Sequence, residues 1–361
     1  MKKLLTVKEI AAQAGVSVGT VSHVLNNPSK VRDERRKRVE EVMHKLGYQP
    51  SQLARGLRKK STDLLGIIIP DIANPFFPNV VRGAEDIAYR EGFRIILCNA
   101  DNNPIKERTY FNDLKSFRPA GIIVIPSVES MLQKDLMADT LPVVFVDRSP
   151  VWWAGDMVVA DNEEGGYQVG RYLIRMGHRR IAAIGGPAQV STSRERIRGF
   201  ERALKDAGLT LPADCIQEAA FNAEGGFGAT VRLLELDKRP TAIFAASDLL
   251  ASGALGAARK MGLECPKDVS IVGFDDLEFA SLVNPALTTV YQPSYQMGVE
   301  SCGLLLDRIR GGGGAAQRRV LKTELRIRSS VRLIERTGDR KVKSKRSEKL
   351  QKQARKREKE E

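Results

Sequence analysis

The chain has 361 residues, a formal charge of +14, three histidines and four cysteines. That length fits a small domain beside a larger two-lobed one. No run of 18 apolar residues occurs and the N-terminus carries no apolar signal region, so the sequence predicts a cytoplasmic protein with no membrane span. Cys98, Cys215, Cys265 and Cys302 are scattered without a C-x-x-C pair and read as buried thiols rather than a metal or disulfide set. With only His23, His44 and His178 available, histidine-based catalysis and zinc chemistry fall away, and neither a metal nor a cofactor is expected.

The charge is uneven. Residues 1–60 hold 14 Lys and Arg against 5 Asp and Glu, residues 336–361 hold 12 against 5, and the middle is close to neutral. A basic head on such a core suits contact with phosphates at one end.

In chain order, Thr6-Val-Lys-Glu9 reads as a capping box, in which the Thr6 hydroxyl and the Glu9 carboxylate satisfy each other's backbone N–H groups. Val7, Ile10, Ala11 and Ala14 follow at helical spacing. Gly15 ends the helix by tolerating positive φ, and Ser17 caps a second one whose apolar face is Val21, Val24 and Leu25. Asn26-Asn27-Pro28 stops it, and a third helix runs from about Asp33 to Leu46, with Gly47 past its end. Three short helices with one apolar face predict a helix-turn-helix domain over residues 1–49, its second helix lying in the major groove. PSQLARGLRKK (Pro50–Lys60) follows as a short basic segment.

After Ser61 apolar runs and amphipathic stretches alternate. Strands are expected at Leu64–Ile69, Arg94–Cys98, Gly121–Pro126 and Val143–Asp147, with helices at Phe77–Glu91, Ile105–Phe117 and Met131–Asp139 between them. A second cycle begins at Glu163–Met176 and continues through Ile181–Gly185, Glu195–Ala207, Cys215–Ala219, Gly225–Leu236, Ala242–Ala245, Asp248–Met261 and Val269–Phe274. A long helix (Ser294–Arg310), a glycine loop (Gly311–Gly314) and one strand near Val320–Arg328 close the core. Two successive βα arrays predict an α/β core of two doubly wound parallel lobes over residues 61–335, with a ligand cleft between them. The tail over 336–361 is too charged for a packed element and shows no heptad seam, so it is expected to be disordered or a lone solvated helix. It is also expected to add nonspecific DNA affinity, so that deleting it lowers the salt slope of binding.

The chain resembles the lactose/galactose/purine repressor family of bacterial transcription regulators over about residues 5–335. The resemblance is carried by VKEIAAQAGVSVGTVSHVLN, GYQPSQLARGLR, LGIIIPDIANPFF, PTAIFAASDLLASGAL, VSIVGFDD and ALTTVYQP. It implies a helix-turn-helix head, a hinge helix at 50–60, and a core like periplasmic sugar-binding proteins. In the head it assigns base-edge positions to Val18, Gly19 and His23. Val18 offers a methyl contact to thymine, Gly19 a close approach, and His23 is the one polar reader. Thr6, Ser17, Thr20, Ser22 and Asn26 match phosphate anchors, with helix capping and solvation the competing roles. In the hinge, Ala54 packs against the partner's hinge, Arg55 and Arg58 track phosphates, and Leu57 matches the leucine that wedges into the minor groove. Gly56 weakens this short helix by roughly 1 kcal/mol relative to alanine, so it is expected to order only on DNA, within a homodimer.

The resemblance also implies an effector site at the cleft. It uses Asn74, Phe76, Phe77, Arg148, Arg196, Phe221, Ser247, Asp248, Asp275 and Gln292, with Arg196 and Asp275 central as a guanidinium fork and a carboxylate on vicinal hydroxyls or a base edge. Many sugar-responsive members carry asparagine where this chain has Ser247, which argues against a standard hexose. Asp248 opens a helix, so a cap is its alternative role. Trp152-Trp153 belongs to either the cleft mouth or an interface.

The expected function is therefore a homodimeric, sequence-specific repressor of a duplex DNA operator, controlled by a small sugar or sugar-like effector, with a purine or nucleoside as an alternative. A protein partner in place of the ligand is the alternative within the same fold. A transport-type binding protein is disfavoured by the basic head and the missing signal region. An enzyme is disfavoured because no G-x-x-x-x-G-K, no G-x-G-x-x-G after the first strand and no nucleophile beside a base occurs.

Overall fold

In a computed structural model of the chain, the described residues are 5–48, 62–127, 132, 133, 136 and 140–334. The hinge with Ala54, Arg55, Leu57 and Arg58, most of the helix expected at Met131–Asp139, and the tail from Arg336 lie outside them. The chain divides into two units, Met1–Asp63 and Leu64–Glu361.

The first unit is a three-helix head. Helix α1 (Val7–Ala14) starts on the capping box: Thr6 N donates to the Glu9 carboxylate at 2.7 Å and Glu9 N donates to Thr6 Oγ1 at 3.4 Å. Gly15, at φ +62°, closes the helix and lets Val16 N reach back to the Ala11 carbonyl. Helix α2 (Val18–Asn26) is capped by Ser17, whose Oγ accepts from Thr20 N at 3.1 Å. A single 3₁₀ turn leads to α3 (Asp33–Leu46), closed by Gly47 at φ +61°. Ile10, Ala11, Ala14, Val21, Val24 and Val39 bury the shared face.

The second unit has two lobes. Lobe 1 is a six-stranded sheet in the order β11-β5-β4-β3-β1-β2, parallel at every pairing. Its strands are β1 (Leu64–Ile69), β2 (Arg94–Asn99), β3 (Gly121–Val124), β4 (Val143–Val146), β5 (Met157–Ala160) and β11 (Arg318–Leu321). Leu65, Ile67, Ile68 and Ile69 are fully buried, as a strand covered by helices on both faces requires. Helices α4 (Phe76–Arg90), α5 (Pro104–Ser116) and α10 (Ser294–Ile309) belong to this lobe. Lobe 2 is a parallel sheet of β6 (Ile181–Gly185), β7 (Ile216–Glu218), β8 (Ala242–Ala245) and β9 (Ser270–Val272), in the order β7-β6-β8-β9. Helices α6 (Asn162–Arg175), α7 (Ser191–Asp206), α8 (Ala223–Leu234) and α9 (Asp248–Lys260) cover it, and an antiparallel pair, β10 (Thr289–Tyr291) with β12 (Glu324–Arg326), sits beside it.

Three departures from the sequence reading matter. The single strand expected near Val320–Arg328 is two strands in different sheets, because the chain crosses from lobe 1 to lobe 2 at Lys322-Thr323. β5 and β10, of four and three residues, are not among the expected strands. Helix α7 begins at Ser191, four residues before the expected start, with no side-chain cap to mark it. The chain thus passes between the lobes at Asp161, at Gln292-Pro293 and at Lys322-Thr323.

Helix pairs in both lobes approach through reciprocal glycines. A Cβ added to Gly166 of α6 would lie 2.0 Å from the Arg196 carbonyl of α7, and one on Gly199 of α7 would lie 1.8 Å from the Glu163 carbonyl of α6. Gly226 and Gly253 do the same for α8 and α9, and Gly83 and Gly298 for α4 and α10. The backbones therefore come closer than any side chain permits.

Candidate functional site

In the head, α2 leaves Ser17, Val18, Gly19 and His23 exposed, with Thr20 and Ser22 half-buried. Val18 is 41% exposed. A Cβ on Gly19 would meet nothing closer than Ser17 Oγ at 3.7 Å, so helix packing does not require a glycine there. The Thr6 and Ser17 hydroxyls cap their helices, and Ser17 Oγ also lies 3.0 Å from Thr20 Oγ1. Nothing is described of the Asn26 side chain.

In the second unit, polar groups from both lobes converge at the carboxyl ends of the strands. Arg196, on α7, is 4% exposed. Its Nε donates to Asn162 Oδ1 at 2.9 Å, and its Nη1 donates to the Ala246 carbonyl at 2.6 Å and to Asp275 Oδ1 at 3.2 Å. Its guanidinium lies over the Phe274 ring, 4.0 Å from the centroid. Gln292, at a lobe crossing, donates from Nε2 to the same Asp275 Oδ1 at 2.6 Å. From lobe 1, Arg148 Nη1 donates to the carbonyls of Pro126 and Ser127, both at 2.7 Å, and its guanidinium faces the Phe77 ring at 5.5 Å. Arg148 Nε stands 4.0 Å from Asp147 Oδ2.

The other expected residues have structural partners. Asn74 Oδ1 accepts from Phe76 N at the start of α4, and Ser247 Oγ accepts from Leu250 N at the start of α9. Asp248 is fully buried and accepts from Leu277 N at 2.7 Å and Thr289 Oγ1 at 2.5 Å. Phe76 and Phe77 sit edge-to-face in the lobe 1 core, and the Phe221 ring covers Gly186, where a Cβ would come within 2.1 Å of it. Trp152 and Trp153 pack on Phe145 within lobe 1.

Sequence reasoning missed Asp147, Glu107, Asn162 and Phe274. Asp147 is 4% exposed, at φ +65°, and Asp275 has φ +118°; such backbone is strained for residues other than glycine and clusters at functional sites. The only advance signal was the acidic residue at the end of an apolar strand. Glu107, 1% exposed on α5, accepts from Ser127 N and so fixes the loop that holds Arg148. Burial raises the Asp147 and Asp275 carboxyls, opposed by Arg196, and lowers Arg148, opposed by Asp147. Asp248 is pushed well up by burial and by the charge of Asp275.

Four buried atoms here have no hydrogen-bond partner among the described residues: Ser127 Oγ, Asp147 Oδ1, Arg148 Nε and Gln292 Oε1. The lobes touch. Ser149 N, of lobe 1, donates to Ser191 Oγ, of lobe 2, at 3.0 Å, and the space between Pro126, Arg148, Pro150 and Val190 is only about 10 Å³. Leu249, Leu277 and Phe279 of lobe 2 pack against the lobe 1 core. Among the described residues no cluster of His, Cys, Asp and Glu could hold a metal ion, and no helix is long and apolar enough to cross a membrane.

A helix-turn-helix head followed by two hinged lobes around a polar cleft defines a ligand-binding regulator fold. Residues 6–51 match the family model of bacterial regulatory proteins, lacI family, and residues 171–331 match that of the periplasmic binding protein-like domain. The HTH-type transcriptional repressor PurR of Histophilus somni (strain 129Pt) is 34% identical over 333 residues, covering 92% of this chain and 100% of that protein. The lac repressor dimer bound to operator and an anti-inducer is 28% identical, with a TM-score of 0.81 over 91% of this chain and 100% of that one. A cellobiose complex of the transcriptional regulator CelR is 31% identical, with a TM-score of 0.70 over 90% of this chain and 99% of that one. The chain belongs to the lacI family of bacterial regulatory proteins, and it is a DNA-binding transcriptional regulator.

Proposed function

We propose that this protein is a dimeric repressor whose operator affinity is set by a small hydroxyl-rich ligand bound between the lobes. The observation that carries this reading is the set of unpartnered buried polar atoms around Arg196 and Asp275. Asp147 Oδ1 and Gln292 Oε1 need donors, Arg148 Nε needs an acceptor, and Ser127 Oγ takes either. Leaving such groups unmade is unfavourable. A ligand carrying donors and acceptors on neighbouring atoms offers partners for such groups, and a sugar or polyol has that pattern. The likeness to a protein solved with cellobiose supports a carbohydrate over a purine edge.

Ligand is admitted by opening about the three crossings and retained by closing. The Ser149–Ser191 contact and the apolar seam at Leu277 are the parts of the closed state that opening breaks. For this to regulate, ligand must bind the operator-competent and incompetent states with different affinity, typically by 1–3 kcal/mol. Leu57 of the hinge is the residue we assign to the minor-groove wedge; Leu57→Ala should weaken operator binding while leaving ligand affinity unchanged.

The test is operator binding by the purified protein, on duplex selected from random sequence, with sugars, polyols, nucleosides and purine bases added singly. A sugar or polyol that shifts affinity tenfold or more, and fails to do so in Arg196→Met, supports the reading. A shift produced only by purine bases moves the assignment to the purine class. If no compound moves a tight operator complex, the small-ligand reading fails and a protein partner replaces it.

A further inference from the structure

Asp248 does neither of the two things its sequence position suggests. The cap of α9 is Ser247, and Asp248 is 0% exposed with both carboxylate oxygens committed inside lobe 2. Oδ2 accepts from Leu277 N at 2.7 Å, and Oδ1 accepts from Thr289 Oγ1, on β10, at 2.5 Å. The Asp248 backbone N donates to the Phe274 carbonyl at 2.6 Å, and a Cβ on Gly273 would stand 2.2 Å from Asp248 Oδ1. The turn from Gly273 to Leu277 is therefore folded around one carboxylate, against it at the start and bonded to it at the end.

Inside that turn lie Asp275 and Asp276, at φ +118° and +55°. Residues other than glycine keep such backbone only where their surroundings impose it. Three side chains of the turn then act elsewhere. Phe274 lies under the Arg196 guanidinium, Asp275 Oδ1 meets Arg196 and Gln292, and Leu277 packs on the lobe 1 core. Leu249, next to Asp248 on α9, packs there too. A carboxylate so close to Asp275 is unfavourable in itself: burial and the charge of Asp275 push the Asp248 carboxyl well up, and the hydrogen bonds from Thr289 and Leu277 oppose that.

We infer that Asp248 is a positioning residue of the cleft: its two hydrogen bonds hold the Gly273–Leu277 turn in the shape that presents Asp275 to a ligand and Leu277 to lobe 1 at once. The consequence for binding rests on the ligand site proposed above; the geometry rests on the turn alone. A ligand that engages Asp275 and a lobe that closes on Leu277 then act on one rigid piece of chain, two residues apart. Groups that bind are only as precise as the groups that hold them.

The test compares Asp248→Ala, Asp248→Asn and Leu233→Ala with the unsubstituted full chain. In Asp248→Asn the amide oxygen can accept from Leu277 N while the amide nitrogen donates to Thr289 Oγ1, which keeps the turn. Leu233, fully buried on α8, weakens lobe 2 without touching the turn. Hydrogen exchange is followed at the Asp275 amide, which is bonded to the Val290 carbonyl and not to Asp248, against the amides of β8. Binding of cellobiose, D-ribose and adenine is measured by calorimetry where each variant is folded. Asp248→Ala should speed exchange at Asp275 by roughly ten- to hundredfold while β8 stays protected, and weaken whichever compound binds the unsubstituted chain by about tenfold or more. Asp248→Asn should bring both back to within about threefold. Leu233→Ala should lower stability and leave binding unchanged. If Asp248→Ala does not fold, Thr289→Val, which removes one of the two anchors, should speed exchange at Asp275 about fivefold. Exchange at Asp275 that rises no more than in β8 overturns the proposal. So does an equal loss of binding in Asp248→Ala and Leu233→Ala, which marks a role in stability alone. Asp248→Asn as impaired as Asp248→Ala overturns the hydrogen-bond account. If none of the three compounds binds the unsubstituted chain, it is the ligand reading that fails for those compounds, and exchange at Asp275 still decides whether Asp248 holds the turn.

Discussion

Arg196 and Asp275 bind each other in a site where both are nearly excluded from solvent. Asp275 Oδ1 takes both the Arg196 and Gln292 protons, so Arg196→Met leaves a carboxylate 6% exposed with only an amide for company. Breaking one side of a buried pair costs roughly 3–5 kcal/mol. Urea unfolding should show that loss, with Arg196→Met/Asp275→Leu recovering most of it; a double variant no better than the single one would show that the pair does not act as a unit. His178 behaves differently. It is fully buried, with Nε2–H donating to the Arg332 carbonyl and Nδ1 facing Thr241 Oγ1 at 2.9 Å, and burial pushes its pKa down to about 4. The unfolded chain takes up this proton near pH 6.5 and the native one does not, so stability is complete above 6.5 and falls as pH drops towards 4. The loss approaches about 3 kcal/mol. His178→Gln should flatten the stability profile between those pH values, and a profile unchanged by the substitution would contradict the assignment.

At the level of elements, the reciprocal glycines set how closely the layers pack. Gly199→Ala places a methyl on the Glu163 carbonyl, and the only relief is to move α6 from α7, which carries Arg196. We expect a loss of about 2–3 kcal/mol in thermal or urea unfolding, together with weaker ligand binding; Gly228→Ala, inside α8 with only an Arg232 nitrogen at 3.7 Å, should instead stabilise by about 0.5–1 kcal/mol. These glycines also show where reading the sequence stopped. Thr6, Glu9, Gly15 and Ser17 announced the head because capping is local chemistry, and the order of strands and helices followed from their periods. Gly166 and Gly199 gave no such signal, because their reason lies on another helix. Asp147 was hidden likewise: its part in the site comes from burial and a strained φ, neither a property of neighbouring residues. The final strand divided into β11 and β12 because a lobe crossing has no composition of its own.

For the molecule as a whole, ligand affinity and stability are linked. A ligand held only in the closed core should raise unfolding free energy by about 2.7 kcal/mol at a hundred times its Kd. Differential scanning calorimetry across the compound panel should therefore rank effectors in the order of their effect on operator binding. A compound that stabilises strongly without touching operator affinity would show that binding and regulation are uncoupled in this chain.

Lobe 1 takes its last edge strand, β11, and its helix α10 from residues 294–321, long after the rest of that lobe has been specified. During synthesis the DNA-binding head and β1 to β5 leave the ribosome while the lobe they belong to still lacks a strand and a covering helix. Domains otherwise fold from the N-terminus as they emerge. A chain that ends before residue 294 therefore carries the head on a lobe 1 that lacks β11 and α10.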